Sequence, residues 1–389
     1  MEWHILTGEY PPQPGGVSDY TRLVSRGLAE TGDSVHVWAA PCTGQTPRDA
    51  GVEVHRLPDH FGLRSMALLQ RSFKQSVHPH RILVQYVPHA FGWKALNVPF
   101  CLWLWSLRRK HSIWVMFHEV VFPLHRNQPL SHKLLGLTTR LMASLVARAA
   151  EHIFVSIPAW EKIIKSLSNN HAPVIWMPVP SAIPVVEDKT GVNELRAHYA
   201  SIGNSGFIIG HFGTYAPHIT KPLKTVLSLL LIGHPERMAL LLGRGGDGLR
   251  DELIRLYPEL TGRVSATGAL SAEDLSLHLS LCDVMLQPFG DGVSGRRTSV
   301  MAALAHGLPI VTTSGSLTES LWAESGAVML APAEDANAQA RAAEHLLVDS
   351  ESRRSLSAAA AKLYRERFDI QHTISVLSGV ESTSQIQKM

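Results

Sequence analysis

Short apolar runs alternate with helical stretches along this chain, and the series stops once and begins again. Residues 3–7, 35–39, 52–57, 82–87, 113–117 and 152–156 read as strands of a first series. A strand covered by helices on both faces has no solvent side, so it reads as a near-continuous apolar run. Alternation of such runs with helical patterns predicts a parallel sheet between two helical layers. Around residues 177–190 the stretch Met177-Pro178-Val179-Pro180, followed by Ile183-Pro184, interrupts any regular element. A second series then follows at 207–212, 238–242, 264–266, 284–287, 310–312 and 327–330. Ala-rich, charged helices fill the region after Asp335. A length of 389 residues suits two domains of this kind. The expected fold class is α/β, with two Rossmann-like domains facing across a cleft, the first over 1–185 and the second over 190–369.

Composition narrows the function. The chain is 45 % hydrophobic and 18 % charged, with a net charge of +3 and no dense Lys/Arg block, so a nucleic-acid partner is not expected. Cys42, Cys101 and Cys282 are widely spaced without a CxxC pair, which argues against a zinc ribbon or a disulfide framework, and no metal is expected. The start, Met1-Glu2-Trp3-His4-Ile5-Leu6, lacks signal-peptide character, and no uncharged apolar run is long enough to span a bilayer. A reducing cytoplasm is the expected location. The segment 93–114, with Leu102, Trp103 and Trp105 beside Arg108, Arg109 and Lys110, reads as a core helix with a basic end. Its alternative is a surface for peripheral contact at the inner face of a membrane.

Ligands of open parallel sheets bind beyond the carboxyl ends of the strands. The first series opens with a strand running into Pro14-Gly15-Gly16-Val17, and Ser18 or Asp19 is expected to cap the helix that follows. Gly15 and Gly16 allow close approach of a phosphate or sugar, or form an ordinary turn. The second series opens with a strand running into Gly213-Thr214, then Lys221, which is a phosphate partner or a solvated lysine. Gly295-Arg296-Arg297-Thr298-Ser299 joins a glycine-rich loop to a helix start. Helix N-terminal N–H groups attract anions and arginines supply forked positive charge, so this junction is a candidate phosphate cradle. A plain capped helix with solvated arginines is its alternative. Gly243-Arg244-Gly245-Gly246-Asp247-Gly248 carries GxGxxG after a strand. The next strand ends in Thr267 without the acidic residue that holds an adenosine ribose, which disfavours a dehydrogenase. Arg244 is instead a candidate contact to a diphosphate.

Several motifs then fall into a familiar order. They are Pro14-Gly15-Gly16-Val17, His118-Glu119, Gly210-His211-Phe212-Gly213, Leu242-Gly243-Arg244-Gly245, Gly268-Ala269-Leu270-Ser271, Cys282-Asp283-Val284-Met285-Leu286-Gln287-Pro288 and Met301-Ala302-Ala303-Leu304-Ala305-His306-Gly307-Leu308-Pro309. In this order the chain resembles the GT-B glycosyltransferases, particularly the retaining family-four type. The resemblance implies an acceptor-side first domain and a nucleotide-sugar-binding second domain. It also implies a terminal helix, about 370–389, that packs back on the first. It implies transfer of a sugar from a nucleotide diphosphate sugar to a hydroxyl acceptor (glycan, lipid-linked or small molecule), in bacterial-type glycan or polysaccharide biosynthesis. No tightly bound cofactor is expected. Donor contacts fall on Gly15, Gly16, Gly213, Thr214, Lys221, Arg244, Gly295, Arg296, Arg297, Thr298 and Ser299. His118 and Glu119 stand at the reacting centre, where His118 either meets the sugar or is satisfied by loop backbone.

One departure is plain. The family's pair of donor-loop glutamates falls on Ser294 and Ala302, neither of which can accept as a carboxylate does. Asp291 is either a sugar contact or a turn residue. The departure leaves a noncatalytic GT-B-like binding or partner protein as the competing class, with a GT-B epimerase behind it.

Overall fold

The computed structural model describes residues 1–75, 80–92, 96–125, 128–168, 172–203 and 206–379. The chain divides into two compact units, Met1–Val179 with Ile370–Met389, and Pro180–Asp369.

The first unit contains β1 (Glu2–Thr7), α1 (Gly16–Glu30), β2 (Ser34–Ala39), β3 (Val52–Arg56), α2 (Leu63–Gln75), β4 (His80–Tyr86), α3 (Val98–Leu107), β5 (Ser112–Phe117), α4 (Leu130–Ala149), β6 (His152–Val155), α5 (Ala159–Leu167) and β7 (Val174–Trp176). Its seven-stranded sheet has the order β3-β2-β1-β4-β5-β6-β7, and every pairing is parallel. Such a sheet twists and is covered on both faces, so its inner strands carry apolar side chains on each side. One core gathers Leu6, Val84, Val115 and Phe117 with α2, α3 and α4. The other gathers Trp3, Ile5, Val37 and Met116 with Tyr20, Val24 and Leu28 of α1.

The second unit contains α6 (Lys189–Gly203), β8 (Phe207–Phe212), α7 (Pro217–Leu231), β9 (Arg237–Leu242), α8 (Gly246–Leu256), β10 (Val264–Gly268), α9 (Ala272–Ser280), β11 (Val284–Gln287), α10 (Thr298–Ala305), β12 (Ile310–Ser314), α11 (Ser320–Glu324), β13 (Met329–Pro332), α12 (Ala336–Val348) and α13 (Ser350–Leu363). Its six parallel strands have the order β10-β9-β8-β11-β12-β13. In both sheets the order reverses beside the first strand of the unit, at β1/β4 and at β8/β11, which is where an α/β sheet opens a crevice for ligands. Both units are therefore Rossmann-like α/β layers.

The chain returns to the first unit through α14 (Ile370–Ser378), whose Ile374, Val376 and Leu377 join the α1 core. Gly27 of α1 makes room for this helix, since a Cβ there would lie 2.6 Å from the Ile374 side chain. Residues 380–389 of the expected terminal helix lie outside the described residues, as do 93–95 of the aromatic segment.

The structure departs from the sequence expectations in three places. The α1 helix starts at Gly16 rather than after Ser18 or Asp19, with Gly15 in the cap position. The Ser18 hydroxyl instead donates to the Gln13 carbonyl at 2.6 Å, fixing the preceding loop. The three-residue strand β7 was not expected, being too short for any period to show. β13 lies two residues later than the apolar run at 327–330 suggested, because Ala327 and Val328 are buried before the strand pairs with β12.

Candidate functional site

In the second unit the chain ends of β8, β9 and β11 meet the start of α10. Gly243 has φ of +110°, and a Cβ there would lie 2.5 Å from the Gly213 carbonyl oxygen. Only glycine allows these two loop backbones to approach so closely. Tyr215 holds the arrangement by donating its hydroxyl toward the carbonyls of His211 at 3.3 Å and Leu242 at 3.2 Å. Gln287, fully buried, donates its amide N–H to the Phe212 carbonyl at 3.0 Å and accepts from the Ser299 hydroxyl at 3.2 Å. Ser299 also stands 3.9 Å from the position a Cβ on Gly213 would take. Thus Gly213 and Ser299, named from the sequence, are brought together.

His211 sits beneath them and carries a polar atom that, like the Ser294 Oγ of the α10 loop, has no partner among the described residues. Its Nδ1 lies 2.7 Å from the Leu286 carbonyl, which can only accept, so Nδ1 carries the proton. Nε2 is then a bare acceptor, buried and without a hydrogen-bond partner among the described residues. Burial lowers the ring's pKa to about 4, so the imidazole is neutral. A buried lone pair lacking a donor is costly. It fits a site that a hydroxyl or other donor completes.

No side chain caps α10. Its first N–H groups and positive dipole end are therefore offered to an anion. Arg296 and Arg297 precede it, but both guanidinium groups close on Asp291 of the same loop, Arg296 at 3.1 Å and Arg297 in tight contact. Arg297 also lies over the Phe289 ring at 4.4 Å. Asp291 is thus a brace that offsets part of the arginine charge. Glu319, which no motif in the sequence marks, accepts the Gly295 N–H at 3.0 Å and the Trp322 indole N–H at 2.7 Å, shaping the loop from behind. Burial raises its pKa. Ser294 is fully buried, and Ala302 packs inside the apolar cluster of Met301, Ala303 and Leu304. Thr214, Lys221 and Arg244 are exposed on or beside the same loops, Lys221 one turn into α7.

In the first unit Gly15 serves a different contact. A Cβ there would lie 2.5 Å from Glu9 Oε2, so a carboxylate fills the space beside it. Burial raises the Glu9 pKa, His89 opposes the rise, and the negative charges of Asp19 and Glu119 add to it. Carboxylates thus stand close to Gly15. That chemistry suits hydroxyl groups better than a phosphate.

His118 follows β5 and is 7 % exposed. Its Nε2 lies 2.8 Å from Gln85 Oε1, its ring meets Tyr20 edge-on, and its carbonyl accepts from Ser156 and Trp160. Burial lowers its pKa to about 3. A neutral ring with Nε2–H given to Gln85 leaves Nδ1 as the acceptor. His118 can thus take a hydrogen bond from a hydroxyl, but it carries no positive charge near neutral pH. Glu119 is half-exposed beside it, 3.9 Å from His89.

Residues 212–349 match the family described as glycosyl transferases group 1. The match lies wholly within the second unit. Among solved structures, sucrose-phosphate synthase from Thermosynechococcus elongatus is similar over 97 % of each chain, with 17 % identity and a TM-score of 0.72. Anabaena HepE in complex with UDP is similar over 98 % of this chain and 99 % of its own, at 16 % identity and a TM-score of 0.67. An α,α-trehalose-phosphate synthase (UDP-forming) from Burkholderia xenovorans, in complex with glucose-6-phosphate, covers 96 % of this chain and 97 % of its own, at 12 % identity and a TM-score of 0.65. Identities this low carry the fold alone. No curated protein matches the sequence. The chain has the GT-B fold, and its second unit carries the match to glycosyl transferases group 1. No described helix of the chain is long and apolar enough to cross a membrane.

Proposed function

We propose that the protein transfers a sugar, with retention of configuration, from a nucleoside diphosphate sugar to a hydroxyl acceptor. The observation that carries this reading is the junction of Gly213, Ser299 and the uncapped α10 N-terminus above the unpartnered His211 Nε2, within the glycosyl transferase group 1 match. The diphosphate sits against α10, where backbone N–H groups and the partly neutralised Arg296–Arg297 pair hold its charge. Gly295, Thr298 and Ser299 line that contact, with Lys221, Thr214 and Arg244 at its margin. His211 Nε2 accepts a donor-side hydroxyl. UDP, which the HepE complex contains, is the first nucleotide to test.

The acceptor binds the first unit, where the Glu9, Asp19 and Glu119 carboxylates and His118 Nδ1 accept hydrogen bonds from its hydroxyls. In the transfer the acceptor oxygen bonds to the anomeric carbon on the face from which the diphosphate departs. The bond from that carbon to the phosphate oxygen breaks, and the departing phosphate takes the acceptor proton. Helix-terminal groups and arginines that favour the growing phosphate charge lower this barrier.

Leu130, Leu134, Leu137 and Leu141 are exposed in one stripe along α4, with Lys133 and Arg140 on the same helix. This favours a lipid-linked acceptor met at a membrane surface, by peripheral contact. The experiment is a transfer assay with purified full-length protein, a panel of nucleoside diphosphate sugars, and both soluble and lipid-linked acceptors. Release of nucleoside diphosphate that depends on an acceptor supports the reading. Binding of donors with no release for any acceptor class would reject it.

A further inference from the structure

Away from the site above, the free edge of the first sheet carries a cluster of metal-ligating side chains. The strands β2 and β3 pair in parallel with His36 opposite Glu53 and Trp38 opposite His55. Residues two apart on a strand share a face, so Glu53 and His55 lie on the face that carries His36. His36 Nδ1 and His55 Nε2 are 3.2 Å apart. His36 Nδ1 is 3.2 Å from Glu53 Oε2, and His55 Nε2 is 3.6 Å from Glu53 Oε1.

With neutral imidazoles and an ionised Glu53, protons leave at least one of the three contacts unfavourable. If one neutral imidazole nitrogen carries hydrogen and the other does not, the bare nitrogen faces a carboxylate oxygen, lone pair to lone pair. If both carry hydrogen, the nitrogens repel each other. If neither does, all three contacts are repulsive. A cation at the centre satisfies every contact at once. Tetrahedral bonds of about 2.0–2.1 Å to nitrogen and oxygen place ligand atoms about 3.3–3.4 Å apart; the two nitrogens are 3.2 Å apart, each lies 3.2 or 3.6 Å from one of the two Glu53 oxygens, and one ligand atom from each residue fits within 4.8 Å of the others.

The rings are also held in place before any ion arrives. His36 stacks on His4 with centroids 5.2 Å apart, and His55 stacks on Trp38 at 4.1 Å. The side chains are 23 %, 26 % and 66 % exposed for His36, His55 and Glu53, so an ion can enter and a water can complete its shell.

We propose that His36, Glu53 and His55 form a divalent zinc-type site, with two imidazole nitrogens, one carboxylate and a solvent ligand. The ion joins β3, an edge strand paired on one side only, to β2. Its effect reaches further through Arg56, the residue after His55, whose guanidinium donates to the Pro11 carbonyl at 2.6 Å and the Ala40 carbonyl at 3.3 Å. The site thus stabilises the loop leading to Gly15 without touching a reacting group. Neither His36 nor His55 is among the residues assigned to sugar transfer.

The test uses the chelator-treated full-length chain, titrated with Zn2+ by calorimetry. In parallel, Co2+ substitution reads the visible bands of a tetrahedral ion. The wild type should take up one equivalent that Glu53→Gln weakens by about tenfold or more and that His55→Gln removes. Amide exchange in β3 should slow with Zn2+ in the wild type only. Other histidines can bind zinc weakly, so the decisive reading is the specific loss of one equivalent. Glu53 is largely exposed, and its variant keeps the test sound if His55→Gln folds poorly. Absence of zinc uptake up to roughly 100 µM, or unchanged uptake in Glu53→Gln, would overturn the proposal.

Discussion

His211 Nδ1 lies 2.7 Å from the Leu286 carbonyl, and this one bond fixes the tautomer that leaves Nε2 bare beneath the Gly213 loop. A buried acceptor with no donor destabilises the unliganded protein. The cost is removed when a ligand hydroxyl or ordered water reaches it. His211→Phe should therefore weaken donor binding by about tenfold, the value of one hydrogen bond to a buried group, while the variant remains folded. Donor affinity by calorimetry checks this. Equal affinity would remove His211 from the donor site.

Gly243 supplies a second test. At φ of +110°, with the Gly213 carbonyl oxygen 2.5 Å from any added Cβ, Gly243→Ala must shift one of the two loops. A strained backbone position costs on the order of 1–3 kcal/mol. The urea midpoint should fall accordingly, and nucleotide affinity should fall with it. A variant of wild-type stability and affinity would show that these loops are not tightly coupled.

The strands were legible because a parallel sheet buried on both faces writes itself as apolar runs, as at 82–87 and 113–117. Gly213 and Gly243 were legible as glycines after strands, although their mutual contact was not. The Asp291 brace was hidden because it depends on the loop turning back upon itself. Glu319 was hidden because it reaches Gly295 from another strand end, 24 residues later. His36, Glu53 and His55 fit no spacing motif, since only the pairing of β2 with β3 brings them together. Ligand spacing along a chain reveals metal sites within one turn or helix, not across a sheet.

Arg296 and Arg297 should each matter to phosphate, though Asp291 shares their charge. Arg296→Ala and Arg297→Ala should weaken UDP binding by roughly tenfold, as expected for a charge-assisted contact. Unchanged UDP affinity in both variants would assign the arginines to loop structure alone.

Acid should destabilise the protein through its buried histidines. Burial lowers His118 to about 3 and His211 to about 4 from 6.5, so below about pH 6.5 the unfolded chain takes up protons that the native rings refuse. Their stabilising contribution is complete above that pH and is lost as pH falls toward the folded values. Each ring costs up to about 1.4 kcal/mol per pH unit in that window. Urea midpoints between about pH 7.5 and pH 5 should fall, and less steeply in His211→Phe. Identical slopes would place the acid sensitivity on other groups.

Ala302 lies inside an apolar cluster and offers no acceptor to a ribose. UDP and its 2′-deoxy form should bind within about 1 kcal/mol of each other, the scale of one net hydrogen bond. Calorimetry on both nucleotides reads the difference directly, and a larger gap would reveal another ribose ligand.

In the proposed function the second unit holds a diphosphate at the start of α10. Calorimetric titration of the full-length protein with UDP and with uridine tests it most directly. UDP should bind measurably and uridine at least tenfold more weakly, because helix-terminal N–H groups and arginines act on phosphate. Equal affinities for the two, or no binding of any nucleoside diphosphate, would contradict it.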